Sequence, residues 1–159
     1  MLLLAALLRL WHLEAGWFGV DQARDLAWAE RIASGGPLPS VGPLMRGRFH
    51  LGALYYWFWA APALVSTAPL AAYAFAALLG TGAVLATWWL ARTLAGPVAA
   101  LVAAAWLAAS PIAVIDARIA WAPAALPPWT ALLLLVATAF LAAPSTPRAA
   151  ALLLVATLG

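Results

Sequence analysis

After His50 the chain almost stops carrying charge. From residue 51 to residue 159 only Arg92, Asp116, Arg118 and Arg148 are ionised at neutral pH, and residues 49–91 hold no fixed charge at all. A water-soluble domain carries roughly a quarter charged residues. This sequence has 8% charged and 67% hydrophobic residues, with a mean hydropathy of +1.00, which excludes an ordinary soluble globule. The expected fold is all-α: a multi-pass transmembrane helical bundle with a long external first loop that contains juxtamembrane helices.

The apolar stretches come in a definite order. Residues 2–13 read as the remnant of a first transmembrane helix, shorter than the ~20 residues that a full span needs. Arg9 interrupts the run and no small-x-small site follows, so a cleaved signal peptide is disfavoured. Residues 14–50 form the first external loop. Within it, 21–34 is predicted to be a short helix, stopped by Gly35-Gly36-Pro37, after which Pro39, Gly42 and Pro43 impose extended, turn-rich chain. Residues 51–65 are short for a span and read as a re-entrant or interfacial segment. Their aromatics (Tyr55, Tyr56, Trp57, Phe58 and Trp59) suit the headgroup level. Residues 70–91 span comfortably. Then come 96–110, a polar hinge with the sequence SPIAVIDARIAWAP, an apolar helix over 124–143, a Pro-Ser-Thr-Pro turn and a last apolar helix. Both ends fall within apolar runs, so the chain is expected to be part of a longer protein.

Topology follows from arginine. With 51–65 re-entrant, Arg92 and Arg148 fall on one side, which the positive-inside rule makes cytoplasmic. The 14–50 loop and the Asp116/Arg118 hinge then both face outward.

The net charge of +3 is carried entirely by arginine. No basic cluster interleaved with exposed aromatics supports a nucleic-acid partner. The absence of cysteine excludes disulfides and thiolate chemistry. No dinucleotide, P-loop, zinc-protease or nucleophile-elbow motif is present.

Chemistry concentrates in the loop, which holds four of the five acidic residues and four of the eight arginines. At 100° per residue Asp21, Asp25, Trp28 and Ile32 share one side of the predicted helix, with Arg24 and Arg31 adjacent. Asp21 is either a cap or first-turn acid complementing the helix dipole, or a general base that takes a proton from an attacking hydroxyl. Asp25 is a second acid or simply its i,i+4 neighbour. Two close carboxylates could recruit a divalent cation, the one cofactor the sequence suggests, although no third ligand is evident. Arg46, Arg48 and His50 either snorkel at the interface or recognise a lipid-linked phosphate. Asp116 and Arg118 form a bland interfacial pair or a functional one. Most of the ten tryptophans fit interfacial belts, and only Trp28 is placed to face a sugar.

The stretch FGVDQARDLAWAERIASGGPLPSVGP followed by FHLGALYYW resembles the N-terminal part of GT-C glycosyltransferases, of the protein O-mannosyltransferase and aminoarabinose transferase group. Ser110-Pro111, Arg118 and Trp121-Ala122-Pro123 resemble a second block of that family. The resemblance implies Asp21 as catalytic base and a polyprenyl-phosphate-linked monosaccharide as donor. It implies a protein, lipid or glycan hydroxyl as acceptor, with the active loop on the outer, periplasmic face of the inner (plasma) membrane. Arg46, Arg48 and His50 would meet the lipid phosphate, and Asp25, Trp28, Tyr55 and Arg118 would line the substrate site. Gln22 stands where the family often has an acid, and Ala122 where it often has Asn. The family continues into further helices and an external domain, so these residues alone are expected to be inactive. The competing class is a non-enzymatic multi-pass membrane protein, a transporter or assembly subunit whose polar loop binds a partner.

Overall fold

A single glycine reverses the longest helix. In the computed structural model, which describes residues 1–158, α4 covers Pro69–Ala109 but breaks at Gly96, where φ is 86° and ψ is −178°. Only glycine adopts that conformation without a Cβ clash, and Pro97 then opens a new helical segment where its missing N–H does no harm. The second segment folds back along the first, so that Val84 packs with Ala104, Ala108 and Ala5 of α1 (Leu2–Leu10). Residues 69–95 rise about 40 Å and residues 97–109 only about 20 Å.

The chain is mostly helical, with seven α-helices among the described residues. After α4 come α5 (Pro111–Asp116), α6 (Ala122–Ala142) and α7 (Thr146–Leu158). Two helices, Pro69–Ala109 and Pro123–Ala142, are long and apolar enough to cross a membrane. The expected spans over 70–91 and 124–143 therefore both find a helix.

Packing inverts the pattern of a soluble core. Fourteen of the nineteen buried hydrophobic residues described are alanines, while Leu3, Val98, Trp106 and Leu141 point outward. Small residues inside bring helix backbones close together. The accessible surface is 9442 Å², against about 7,600 Å² expected for a compact soluble chain of this mass. Gly80 marks the tightest approach: a Cβ there would sit 2.4 Å from Ala117 Cβ and 3.1 Å from Arg9 Nε.

Arg9 is buried among these helices. Its guanidinium donates to the Leu107 and Ala108 carbonyls at 3.0 and 3.1 Å and to Ala5 at 3.2 Å. The last carbonyls of a helix lack intrahelical partners, and Ser110-Pro111 prevents continuation, so Arg9 closes the end of α4. Arg148 does the same for α6, donating to Ala143 and Ala139 at 2.7 and 3.2 Å.

The 14–50 loop is more structured than its sequence suggests. A 3-10 turn at Leu13–Ala15 leads to α2 (Val20–Ala33). Gly35 (φ 79°) and Gly36 end α2 by donating to Ile32 and Arg31 at 3.0 and 2.9 Å, the paired bonds of a Schellman stop. An antiparallel hairpin follows, β1 (Val41–Met45) with β2 (Phe49–Gly52), where the sequence suggests only extended chain. This two-stranded sheet is the one departure from the all-α expectation. A bulge at Gly42-Pro43 accommodates the backbone of Leu51 and Gly52, which lies too close for any Cβ on Gly42.

The 51–65 segment is not one continuous piece. It begins in β2, forms a seven-residue α3 (Leu54–Ala60), and ends in a 3-10 turn at Pro62–Leu64. At about 10 Å, α3 is too short to cross a bilayer. The loop and the hinge consequently lie at the same end of the bundle: Arg118 donates to the His12 carbonyl, and a Cβ on Gly16 would lie 2.8 Å from the Arg118 carbonyl. The Gly96 reversal, with Arg92, and the α6–α7 turn, with Arg148, lie at the opposite end.

Candidate carboxylate site at the polar end of the bundle

The first turn of α2 shapes the site. Gly19 is the N-cap and donates its N–H to Gln22 Oε1 at 3.0 Å, which places Asp21 in the first turn. Gln22 is thus the local cap partner and is fully buried. Asp21 is a first-turn acid rather than the cap itself, two-thirds exposed, with Arg24 at 2.8 Å as its ion-pair partner.

One turn on, Asp25 points inward and is 5% exposed. Its Oδ1 accepts from Arg24 at 2.8 Å and its Oδ2 accepts from the Tyr55 hydroxyl of α3. Arg24 therefore bridges the two carboxylates. Among the described residues no three His, Cys, Asp or Glu side chains come together.

Burial sets the electrostatics here. It pushes the Asp25 carboxyl above its ordinary range, against the opposing pull of the Tyr55 and Arg24 hydrogen bonds and the Arg24 charge. Burial and the bond to Asp25 push the Tyr55 phenol far upward, so Tyr55 stays a donor. Burial opposes the charge of Arg24, but the hydrogen bond and charge of Asp25 outweigh it and raise its pKa. The result is a fixed cation, braced from the buried side, holding one oxygen of an exposed carboxylate.

Trp28 packs on Tyr56 with ring centroids 5.4 Å apart, and Arg31 lies 5.2 Å from its ring. Its ring is engaged in joining α2 to α3. His50 donates to the Gly42 carbonyl at 2.8 Å and so holds the hairpin bulge. Arg46 and Arg48 stand at the exposed hairpin tip. Asp116 and Arg118 make no ion pair with each other, and Arg118 instead ties the hinge to the stem after α1. The structure thus unites Asp21, Asp25, Arg24 and Tyr55, and leaves the hairpin arginines outside that hydrogen-bonded group.

Comparison with family models, curated proteins and solved structures finds no match to this chain. The site therefore stands on its own geometry.

Sequence reasoning missed two contributors, Arg24 and Gln22. The spacing Asp-x-x-Arg-Asp was the available signal for Arg24, since i,i+3 pairs meet on a helix. For Gln22 it was Gly-x-x-Gln at a helix start, half of a capping box. A cavity of about 670 Å³ lies elsewhere, between α4 and α6, and its lining is apolar apart from Thr87 and Thr130.

Proposed function

We propose that this chain is the N-terminal part of a GT-C-type membrane glycosyltransferase that moves a monosaccharide from a polyprenyl-phosphate donor to a hydroxyl acceptor. The observation that carries the reading is the pairing of an exposed Asp21 with a buried brace. Arg24, held by Asp25, which Tyr55 in turn braces, fixes one oxygen of Asp21 and leaves the rest of the carboxylate open to solvent. A general base needs such a position, within reach of an incoming hydroxyl and oriented by a third group. In this reading Asp21 takes the acceptor proton as the hydroxyl oxygen attacks the anomeric carbon, and the bond to the lipid phosphate breaks with the phosphate keeping the electron pair. Attack from the face opposite the phosphate inverts the anomeric centre. Asp25 and Tyr55 act as positioning residues.

The membrane setting is part of the proposal. Two helices of spanning length and outward-facing leucines support it, as does the gathering of all five acidic residues away from Arg92 and Arg148. The arginine-only end is placed in the cytoplasm and the acidic end on the outer face, where a lipid-linked donor presents its sugar.

The test uses the full-length protein that carries these residues, reconstituted in liposomes with a set of radiolabelled polyprenyl-phosphate monosaccharides. Transfer of label to a hydroxyl acceptor with an inverted anomeric linkage is the expected result. No transfer from any donor, or retained configuration, contradicts the reading.

A further inference from the structure

The hairpin tip carries two cations that the fold does not use. Arg46 and Arg48 flank Gly47 in a tight turn closed by the Arg48 N–H donating to the Met45 carbonyl at 3.0 Å. Arg46 has φ 51° and Gly47 φ 68°. A turn with two successive positive φ values favours Asn-Gly, so arginine is tolerated at its first position despite backbone strain. Neither guanidinium makes a hydrogen bond or ion pair among the described residues, in contrast to Arg9, Arg24, Arg118 and Arg148.

Apolar side chains surround these cations and face outward. Leu44 and Met45 precede them, Phe49 follows at 59% exposure, and Trp57 on α3 and Val65 after the 3-10 turn are also exposed. The strip is tied to the bundle, since β1 packs on α3 and α3 on the turn that leads into α4. Cations interleaved with outward-facing Leu, Met, Phe and Trp match the chemistry of a bilayer interface. Phosphates offer anionic oxygens there, and the acyl boundary accepts apolar groups.

We propose that the Arg46–Arg48 hairpin tip is a docking surface for the anionic lipid headgroups of the bilayer, with Phe49, Met45 and Leu44 entering the acyl boundary. The inference rests on the membrane placement proposed above, and it assigns these arginines to bulk lipid phosphate rather than to the sugar donor. Two cations at an anionic surface bias the docked over the free tip by roughly 30-fold at low salt, and the bias weakens as ionic strength rises.

Residues 1–159 hold no cysteine, so in a full-length protein with any cysteine outside them replaced by serine, one introduced thiol labels one site. A nitroxide at Met45→Cys in the full-length protein, in nanodiscs of phosphatidylglycerol with phosphatidylcholine, is expected to be shielded from a water-soluble nickel chelate and open to oxygen. Phosphatidylcholine-only discs, high salt or the Arg46→Gln/Arg48→Gln pair should each restore nickel access. A control nitroxide at Leu134→Cys, exposed on α6, should stay shielded throughout. A nickel-accessible Met45 label beside a shielded Leu134 label overturns the inference and leaves the membrane placement standing. A Met45 label shielded equally with and without anionic lipid, and unaffected by the arginine substitutions, also overturns it and indicates a protein contact. A nickel-accessible Leu134 label overturns this inference and the membrane placement together.

Discussion

Two regions rich in arginine handle their charge in opposite ways. Between the helices, Arg9 hands its terminal nitrogens to the carbonyls that end α4, and on α2 Arg24 divides its own between Asp21 and Asp25. At the hairpin tip Arg46 and Arg48 keep theirs free. The closed region shows how an apolar chain builds with charge: Arg9 completes a backbone end and Arg24 braces two acids. The open region carries the same side chain with no structural task. Asp21 lies between the two cases, with one oxygen held and the remainder free, and on that difference the role proposed for it rests.

The comparison makes graded predictions. Removing Arg9 should have the largest effect on stability. Arg9→Leu leaves the Leu107 and Ala108 carbonyls without that partner, a loss of about 2–6 kcal/mol at ~1–3 kcal/mol for each orphaned group. Thermal unfolding of the detergent-solubilised protein measures it, and an unchanged Tm would show that Arg9 does not close α4.

Gly80→Ala comes next. Its Cβ would press on Ala117 and the Arg9 side chain, so about 1–3 kcal/mol should be lost to overpacking. Ala117→Gly in the same protein should restore much of it, and a double-mutant cycle reads the coupling.

Tyr55→Phe should cost about 1 kcal/mol for the lost hydrogen bond and raise the Asp25 pKa further, since that bond opposes the effect of burial. The sign follows from the raised native pKa. The folded state binds the Asp25 proton more tightly than the unfolded chain, so this group's contribution is fully present below the unfolded pKa and is lost as pH rises through the folded one. The mutant should extend that window upward. The carboxylic C=O stretch in infrared difference spectra follows it, with Asp25→Asn identifying the band.

Arg46→Gln should shift stability by less than about 0.5 kcal/mol, because it removes no internal contact. A loss as large as that of Arg9→Leu would erase the distinction between the closed and open regions.

Much of this arrangement was legible from residue pattern. Gly35-Gly36-Pro37 ends α2 as its chemistry requires, and the apolar run after Pro69 yields a long helix with a break at Gly96-Pro97. Proline spacing and the aromatic run marked 51–65 as no full span, and the structure agrees while dividing it into strand, helix and turn. The hairpin escaped notice because its strands are short, hold Pro43 and lack clean alternation, and because its pairing depends on packing β1 against α3. For the candidate site, the helix wheel placed Asp21 and Asp25 together but could not show that one faces solvent and the other Tyr55. That separation depends on where α3 docks, a tertiary contact spanning thirty residues of sequence. Arg9 read as an interruption of an apolar run, since its acceptors lie almost a hundred residues away.

The central claim is that the exposed carboxylate does the chemistry and the buried one holds it in place. Its most direct test sets Asp21→Asn beside Asp25→Asn in the full-length protein, with single-turnover sugar transfer and donor affinity both measured. Asp21→Asn should lower the transfer rate by at least ~100-fold, the usual effect of losing a general base, with donor affinity unchanged. Asp25→Asn should retain measurable transfer with a shifted pH profile. Wild-type transfer by Asp21→Asn would contradict the account.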